Sequence, residues 1–342
     1  MDLKDALDNN GGDMVKFFRE EKIIYRKYTR ENCYILKMNP ENITKKWHRD
    51  IRGVVYNYED KKILVLPPSK SYEISDTQLV GDIFTELYDG TMINVFYNND
   101  KWNLSSRSTI GCNNRWLSKS TYKDLFEKTC QIDYNSLNKE YSYSFVLRNK
   151  LNRNISWIEN DEVILVKVYD TENECEIELK EEWGFKIPKV HDNLNDIDIT
   201  DPRVKGITYT VDNKRYKWLT TPFKRANEIK LNINDKSLLY FKLRQNGNLK
   251  EYLSYFPEDT EVFAKGREFF HRLKQILYDT YFSVYVKKMI NFKEVQYEYK
   301  PLIREIHKIY ILSGNKIRMS TIENYLHNTP SKRLRFIMNF SE

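Results

Sequence analysis

Residues 86–97 read ELYDGTMINVFY, and the meaning of the Asp89-Gly90 step inside them decides the fold. On local physics an Asp-Gly pair between two alternating apolar runs predicts a tight β-hairpin, because both turn residues tolerate positive φ. Around it, over roughly residues 22–218, short β-rich runs recur between polar turns: YILKM, RGVVYNY, KKILVLPP, TMINVFY, KWNLSS, YSYSFVL, EVILVKVYD, GITYTV and RYKWLT. Several alternate as half-buried antiparallel strands do. Helical candidates among them are short, notably TYKDLFEKT at 121–129. The pattern predicts an α+β class with curved antiparallel sheets and argues against a doubly wound fold.

The period changes after about Asn234. Phe263, Phe270, Leu273, Leu277, Tyr281 and Val284 recur mostly at three- and four-residue steps, which predicts one long amphipathic helix over 258–289 with Pro257 at its start. A second helix is predicted over 301–312, with Leu302, Ile306 and Ile309 on one face. Ser320 and Glu323 read as a capping box opening a third. The last third is therefore a helical lobe, and it is basic: from Lys236 onward there are 19 Lys+Arg against 11 Asp+Glu, whereas the rest holds 37 against 38. A basic lobe beside a neutral one suggests a path for a polyanion, although excess lysine also serves simply as a solvated surface.

At 342 residues, 40% apolar and 14% aromatic, the chain can build one large domain and a smaller one. No apolar run reaches the roughly 18–20 residues of a membrane span, and the start, MDLKDALDNNGGDMVKFF, lacks the order of a secretory signal. A cytoplasmic protein is expected. Cys33, Cys112, Cys130 and Cys175 form no CxxC pair, and His48, His191, His271, His307 and His327 have no ligand spacing, so reduced thiols and no zinc are expected.

In chain order the sequence offers RGVVYN with Arg52 and Gly53, ELYDGTMINVFY, KWNLSSRSTIG with Arg107, YSYSFVLRNKLNRNI, EVILVKVYD, VKGITY and RYKWLTTPF. This order and spacing resemble the RNA ligases of T-even bacteriophages, members of the covalent nucleotidyltransferase superfamily that also holds DNA ligases and mRNA capping guanylyltransferases. A closer likeness is to ligase-like proteins of large DNA viruses of protists. Those carry an EGTMIN- or DGTMIN-like block, then W…S-x-R-S-x-IG, then a helical domain with a YFPE-like segment and a final Pro, Leu, Phe and Asn cluster, matched here at 255–258 and 330–339. The likeness spans roughly residues 52–339. Any one block recurs by chance; the order of seven carries the resemblance.

The resemblance implies an antiparallel-sheet nucleotidyltransferase (RNA ligase-like) domain over 21–233, preceded by an N-terminal segment, 1–20, and followed by a basic α-helical domain, 234–342. It also implies a chemistry, in which a lysine two residues before Asp-Gly attacks the α-phosphate of ATP to give a lysyl-AMP. Leu87 stands at that position. Val146 stands where a middle-strand glutamate handles ribose or metal. Lys205 stands where a glutamate ahead of a glycine helps hold the metal, which inverts the charge. In the last block Lys217 keeps one half of a K-x-K phosphate pair and Leu219 replaces the other. Lys70 and Lys101 are the lysines nearest the loop in sequence, and a displaced nucleophile would be sought there first.

Taken together these departures lead to the expectation of a pseudoenzyme: a catalytically inactive RNA ligase-like protein with no cofactor and no metal. It would bind RNA, as a single strand, at a 5′ end or at a methylated cap, through Arg52, Asp89, Gly90, Arg107, Arg148, Lys205 and Lys217. Protein partners in a viral complex, and a place in host cytoplasm, viral factory or virion, follow from the same resemblance, with no membrane involved. Two other readings stand beside it: an active ATP-dependent RNA ligase or nucleotidyltransferase with a displaced nucleophile, and a protein-interaction scaffold built on the helical lobe. Plainer readings also exist for single residues. Lys205 can be a solvated strand-end lysine, Arg107 a surface arginine, and most of the six tryptophans core.

Overall fold

The computed structural model describes residues 2–9, 12–75, 83–212 and 214–341. It divides into two compact units, Met1–Arg225 and Ala226–Glu342, so the division falls ahead of the 233/234 position read from the sequence. In the first unit the strands are β1 (Ile23–Tyr28), β2 (Cys33–Met38), β3 (Arg52–Asn57), β4 (Lys62–Val65), β5 (Tyr72–Glu73), β6 (Phe84–Leu87), β7 (Thr91–Asn98) and β8 (Lys101–Ser105). They continue with β9 (Tyr141–Arg148), β10 (Glu162–Asp170), β11 (Cys175–Ile177), β12 (Val190–His191), β13 (Gly206–Val211) and β14 (Lys214–Leu219). Among the described residues they form three sheets, ordered β1-β2-β3-β4, β11-β10-β9-β7-β8 and β12-β6-β13-β14-β5. Pairing is antiparallel except for β14 with β5, and the α+β class with antiparallel sheets is what the strand pattern predicts.

Alternation explains how the first sheet is packed on both faces. On β2, Tyr34, Leu36 and Met38 point to a core shared with α1 (Leu3–Asp8) and α2 (Met14–Glu20) through Leu7 and Phe18. Cys33 and Ile35 point the other way, toward Phe96 of β7 and Ile110. Helices α1 and α2 are thus part of the first unit's core. The second sheet buries Ile93, Val95, Phe145 and Leu165 against Leu125 and Phe126 of α3 (Tyr122–Thr129), whose start is capped by Thr121 and Asp124 in a reciprocal box.

The Asp89-Gly90 step does not make the predicted hairpin. Strands β6 and β7, which flank it, belong to different sheets, so the chain crosses from one to the other at this point. Neither Asp89 nor Gly90 adopts the positive φ that the hairpin turn would need. Gly90 is needed for another reason: a Cβ there would lie 2.4 Å from the Leu147 carbonyl oxygen and 2.7 Å from Val146 Cγ1, so only a bare backbone can pass β9 so closely.

In the second unit α7 (Thr260–Tyr281) is shorter than the single helix predicted over 258–289 and ends in a π turn, Phe282–Val286. It follows α5 (Lys236–Gln245) and α6 (Leu249–Tyr255), and it packs on α5, α8 (Lys300–Ser313) and α9 (Met319–Asn328). A last helix, α10 (Ser331–Ser341), lies on α5. The capping box read at Ser320 is not the start of α9. Ser320 is already inside it, and the Thr321 hydroxyl accepts the Arg318 amide at 3.2 Å. The fourth helix in chain order, α4 (Thr221–Lys230), carries the division between the units.

Candidate phosphate-binding cleft and its lysine

Asp89 is buried, between Tyr88 and Gly90, which line a cleft. Its Oδ2 accepts hydrogen bonds from the amides of Ile155 (2.7 Å) and Ser156 (3.2 Å), and its Oδ1 lies 3.1 Å from Lys205 Nζ. Lys205 immediately precedes Gly206, and Gly206 pairs with Leu87 across β13 and β6. The ammonium of the neighbouring strand therefore covers the turn that follows Leu87. Its backbone is fixed too, since the Lys205 carbonyl accepts the Thr220 amide at 3.1 Å. The side chain runs past Phe223, with Nζ 5.1 Å from the ring centroid, and is 23% exposed.

Leu87 and Lys205 open onto a cleft of about 1040 Å³, together with Arg52, Gly90, Arg107, Val146 and Lys217. Arg52 is brought there by a bulge: the β2–β3 register shifts between Leu36 and Lys37, leaving Gly53 unpaired. Gly53 has φ +95°, and a Cβ on it would lie 2.7 Å from the Arg107 Cα, so the Arg-Gly pair exists to bring these two backbones together. Opposite them Arg215 and Lys217 share one face of β14, two residues apart. Arg215 and Arg52 both donate to the Ser69 carbonyl, at 3.4 and 3.5 Å.

Among the described residues Arg52, Arg107 and Arg215 make no ion pair. Their electrostatics record this. Desolvation and then the neighbouring Arg107 and Arg215 charges push Arg52 down to about 9 from an ordinary 12.5. Arg107 is reached by solvent from the cleft, yet the surrounding walls lower its pKa, an effect that Asp89 partly offsets. Arg215 is lowered by burial. Lys70, also on the cleft wall, is lowered first by desolvation and then by Arg49, Arg52 and Lys217. Glu176 and Asp89 offset these charges only at a distance, and guanidinium groups held together with no direct ion pair form a site that is stabilised by an anion, their planar forks suiting phosphate oxygens.

The remaining sequence-read residues lie otherwise. Arg148 does not line the cleft: it is buried, ion-paired to Glu162 at 2.6 Å, and donates to the Trp157 carbonyl. Lys217 does line it, but also pairs with the exposed Glu73 at 2.8 Å. Lys101 is exposed at the first position of β8 and is no part of the cleft wall. Sequence reading missed Arg215 by taking the paired basic positions as 217 and 219. Leu219 is buried, and the alternation in RYK already marked 215 and 217 as neighbours on one face. Arg49, whose guanidinium lies 3.5 Å from the centroid of the Tyr72 ring, carried no local signal.

The donor set does not fit a metal held by the protein's own carboxylates. Among the described residues no three His, Cys, Asp or Glu side chains come together, and positions 146 and 205 are valine and lysine. No helix among them is long and apolar enough to cross a membrane.

No protein-family profile matches the sequence, and no curated protein matches it. Solved structures do. The chain is similar to a protein of Aquifex aeolicus assigned as an ATP-dependent DNA ligase, with 13% identity, 74% of this chain and 75% of that chain covered, and a TM-score of 0.43. It is similar to an archaeal ATP-dependent RNA ligase, with 10% identity, 77% and 78% covered, and a TM-score of 0.44. The RNA ligase of Naegleria gruberi with pyrophosphate gives 12% identity and a TM-score of 0.33, over 43% of this chain and 51% of that one.

The pseudoenzyme expectation is corrected. It rested on the joint departures at Leu87, Val146, Lys205 and Leu219, whereas the Lys205 amine lies 3.1 Å from Asp89, two residues after Leu87. The solved structures to which the chain is similar are ligases.

Proposed function

We propose that the protein is an ATP-dependent polynucleotide ligase or related nucleotidyltransferase, of the RNA ligase type, whose nucleophile is displaced from position 87 to Lys205. The observation that carries this reading is the pairing of Leu87 with Gly206, which brings the Lys205 amine to Asp89 beside a wall of unpaired arginines. In the reaction the neutral Lys205 amine attacks the α-phosphorus of ATP. A bond from Nζ to phosphorus forms, the bond from the α-phosphorus to the bridging oxygen breaks, and pyrophosphate leaves. Asp89 Oδ1 is within reach of the proton that Nζ gives up. Arg52, Arg107 and Arg215 with Lys70 stabilise the charge that develops on the departing pyrophosphate. The 5′-phosphate of a strand then takes the AMP from the phosphoramidate, freeing the Lys205 amine, and a 3′-hydroxyl attacks that 5′-phosphorus and expels AMP to seal the strand.

The test is incubation with α-labelled ATP and, separately, GTP, in Mg²⁺ or Mn²⁺, followed by a denaturing gel. A labelled band that is acid-labile, alkali-stable and mapped to Lys205 is expected. It is lost in Lys205→Ala and kept in Lys70→Ala, and Leu87→Lys added to Lys205→Ala returns it at position 87. No band from the wild-type protein, or one that persists in Lys205→Ala, overturns the proposal.

A further inference from the structure

We propose that the face carrying Trp116 and Trp157 is a stacking platform for single-stranded polynucleotide, and that it positions the strand beside the cleft. The proposal rests on the ligase-type reading above and names the form of its second substrate. Both rings face solvent, Trp116 at 47% and Trp157 at 38% exposure, in a unit whose other large aromatics are mostly in the core. Such rings offer a π-face to a base only if that base is unstacked, which a duplex interior does not supply.

The surrounding charge fits one partner. The two segments that bear the rings, 113–123 and 150–157, contain Arg115, Lys119, Lys123, Lys150 and Arg153 and no aspartate or glutamate. Lys123 faces Glu127 at 3.8 Å. Among the described residues Arg115, Lys119 and Lys150 have no ion pair, and the Arg153 guanidinium lies 5.0 Å from the Trp157 ring centroid. The acidic groups nearby are engaged locally: Asp124 caps α3, and Asp161 accepts the Lys150 amide and the Asn149 side chain. Aromatic faces beside Arg115, Lys119 and Lys150 match a chain of alternating bases and phosphates.

The platform is also tied to the reacting residues. The Leu117 amide, next to Trp116, donates to Asn152 Oδ1 at 3.3 Å, and Asn152 Nδ2 donates to Thr91 Oγ1 at 3.0 Å. On the other side the amides of Ile155 and Ser156, next to Trp157, hold Asp89. Both tryptophan segments are thus anchored on the residues that flank Gly90. A strand lying on them has its end directed toward the counter-ion of Lys205.

The experiment measures binding of a labelled 12-nucleotide RNA, as a single strand and as a blunt duplex, to wild-type protein, Trp116→Ala, Trp157→Ala, the double alanine variant and the double phenylalanine variant. Each alanine is expected to weaken single-strand binding by at least about fivefold, while phenylalanine retains most of it. Duplex binding and the covalent nucleotide band with ATP should be unchanged in every variant. Single-strand affinity within about twofold of wild type in the double alanine variant overturns the proposal, and so does an equal loss on the duplex. If wild-type protein forms no nucleotide band but the alanine variants still lose the single strand, the ligase reading fails and the platform stands.

Discussion

At the residue scale the informative groups are those whose chemistry is unfavourable without a ligand. Arg52 is held at about 9, below its ordinary 12.5, so below pH 9 it is charged both in the fold and in the unfolded chain, and the fold bears the cost of desolvating that charge. Between about pH 9 and 12.5 the unfolded chain binds the extra proton, and stability rises with pH. At neutral pH only an anion relieves the cost. Arg52→Gln is therefore expected to leave Tm unchanged or raise it by roughly 2–4 °C without ligand, and to abolish most of the Tm rise that pyrophosphate gives the wild type. Thermal melts with and without pyrophosphate check this, and a variant that melts lower while responding normally to pyrophosphate contradicts it. The sequence made Leu87 and Lys205 legible as departures from a pattern. What it could not convey was that the two departures meet, because the contact runs through a strand pair more than a hundred residues apart in sequence.

Among elements, strands were readable and their partners were not. The short apolar run YILKM marked β2 correctly, and it is nearly continuous because both faces of that strand are buried, each by a different layer. The Asp-Gly step misled because turn propensity is local, whereas the carboxylate's real partners are the Ile155 and Ser156 amides. Helix α7 was overextended for a related reason: its π turn keeps Val284 buried, so the apolar period runs on past the point where the α-helix ends. The close pass of Gly90 gives a test at this scale. Gly90→Ala forces a Cβ against the Leu147 carbonyl, which cannot yield without moving β9, and a cost of about 1–3 kcal/mol is expected. It should appear in urea unfolding as a lower midpoint with an unchanged slope, and the nucleotide band should weaken more than stability alone explains, because Asp89 moves with the loop. A midpoint equal to wild type means that the crossing tolerates a side chain.

For the molecule as a whole, average charge was a poor guide to where an anion binds. The excess of Lys and Arg lies from residue 236 onward, yet Arg52, Arg107 and Arg215, which make no ion pair among the described residues, lie in the near-neutral first unit, where topology gathers β3, β14 and the segment after β8 at one cleft. Mean composition is blind to such focusing, since it weighs a solvated lysine equally with a desolvated arginine. The two units give this a thermodynamic signature. Each has apolar side chains in its own interior, with Phe145 and Leu165 in the first and Phe270 and Leu302 in the second, so calorimetry is expected to resolve two transitions. Pyrophosphate at about 100 times its Kd should stabilise the first unit by about 2.7 kcal/mol, a rise of roughly 5–10 °C for a unit of this size. The helical unit, followed by its ellipticity at 222 nm, should melt where it did before. Replacing Arg107 and Arg215 together by alanine should remove the shift and leave both ligand-free transitions in place, because neither guanidinium has an acidic partner among the described residues whose loss would destabilise the fold. A shift confined to the helical transition would move the anion site to the basic helices and overturn the cleft as the seat of phosphate chemistry.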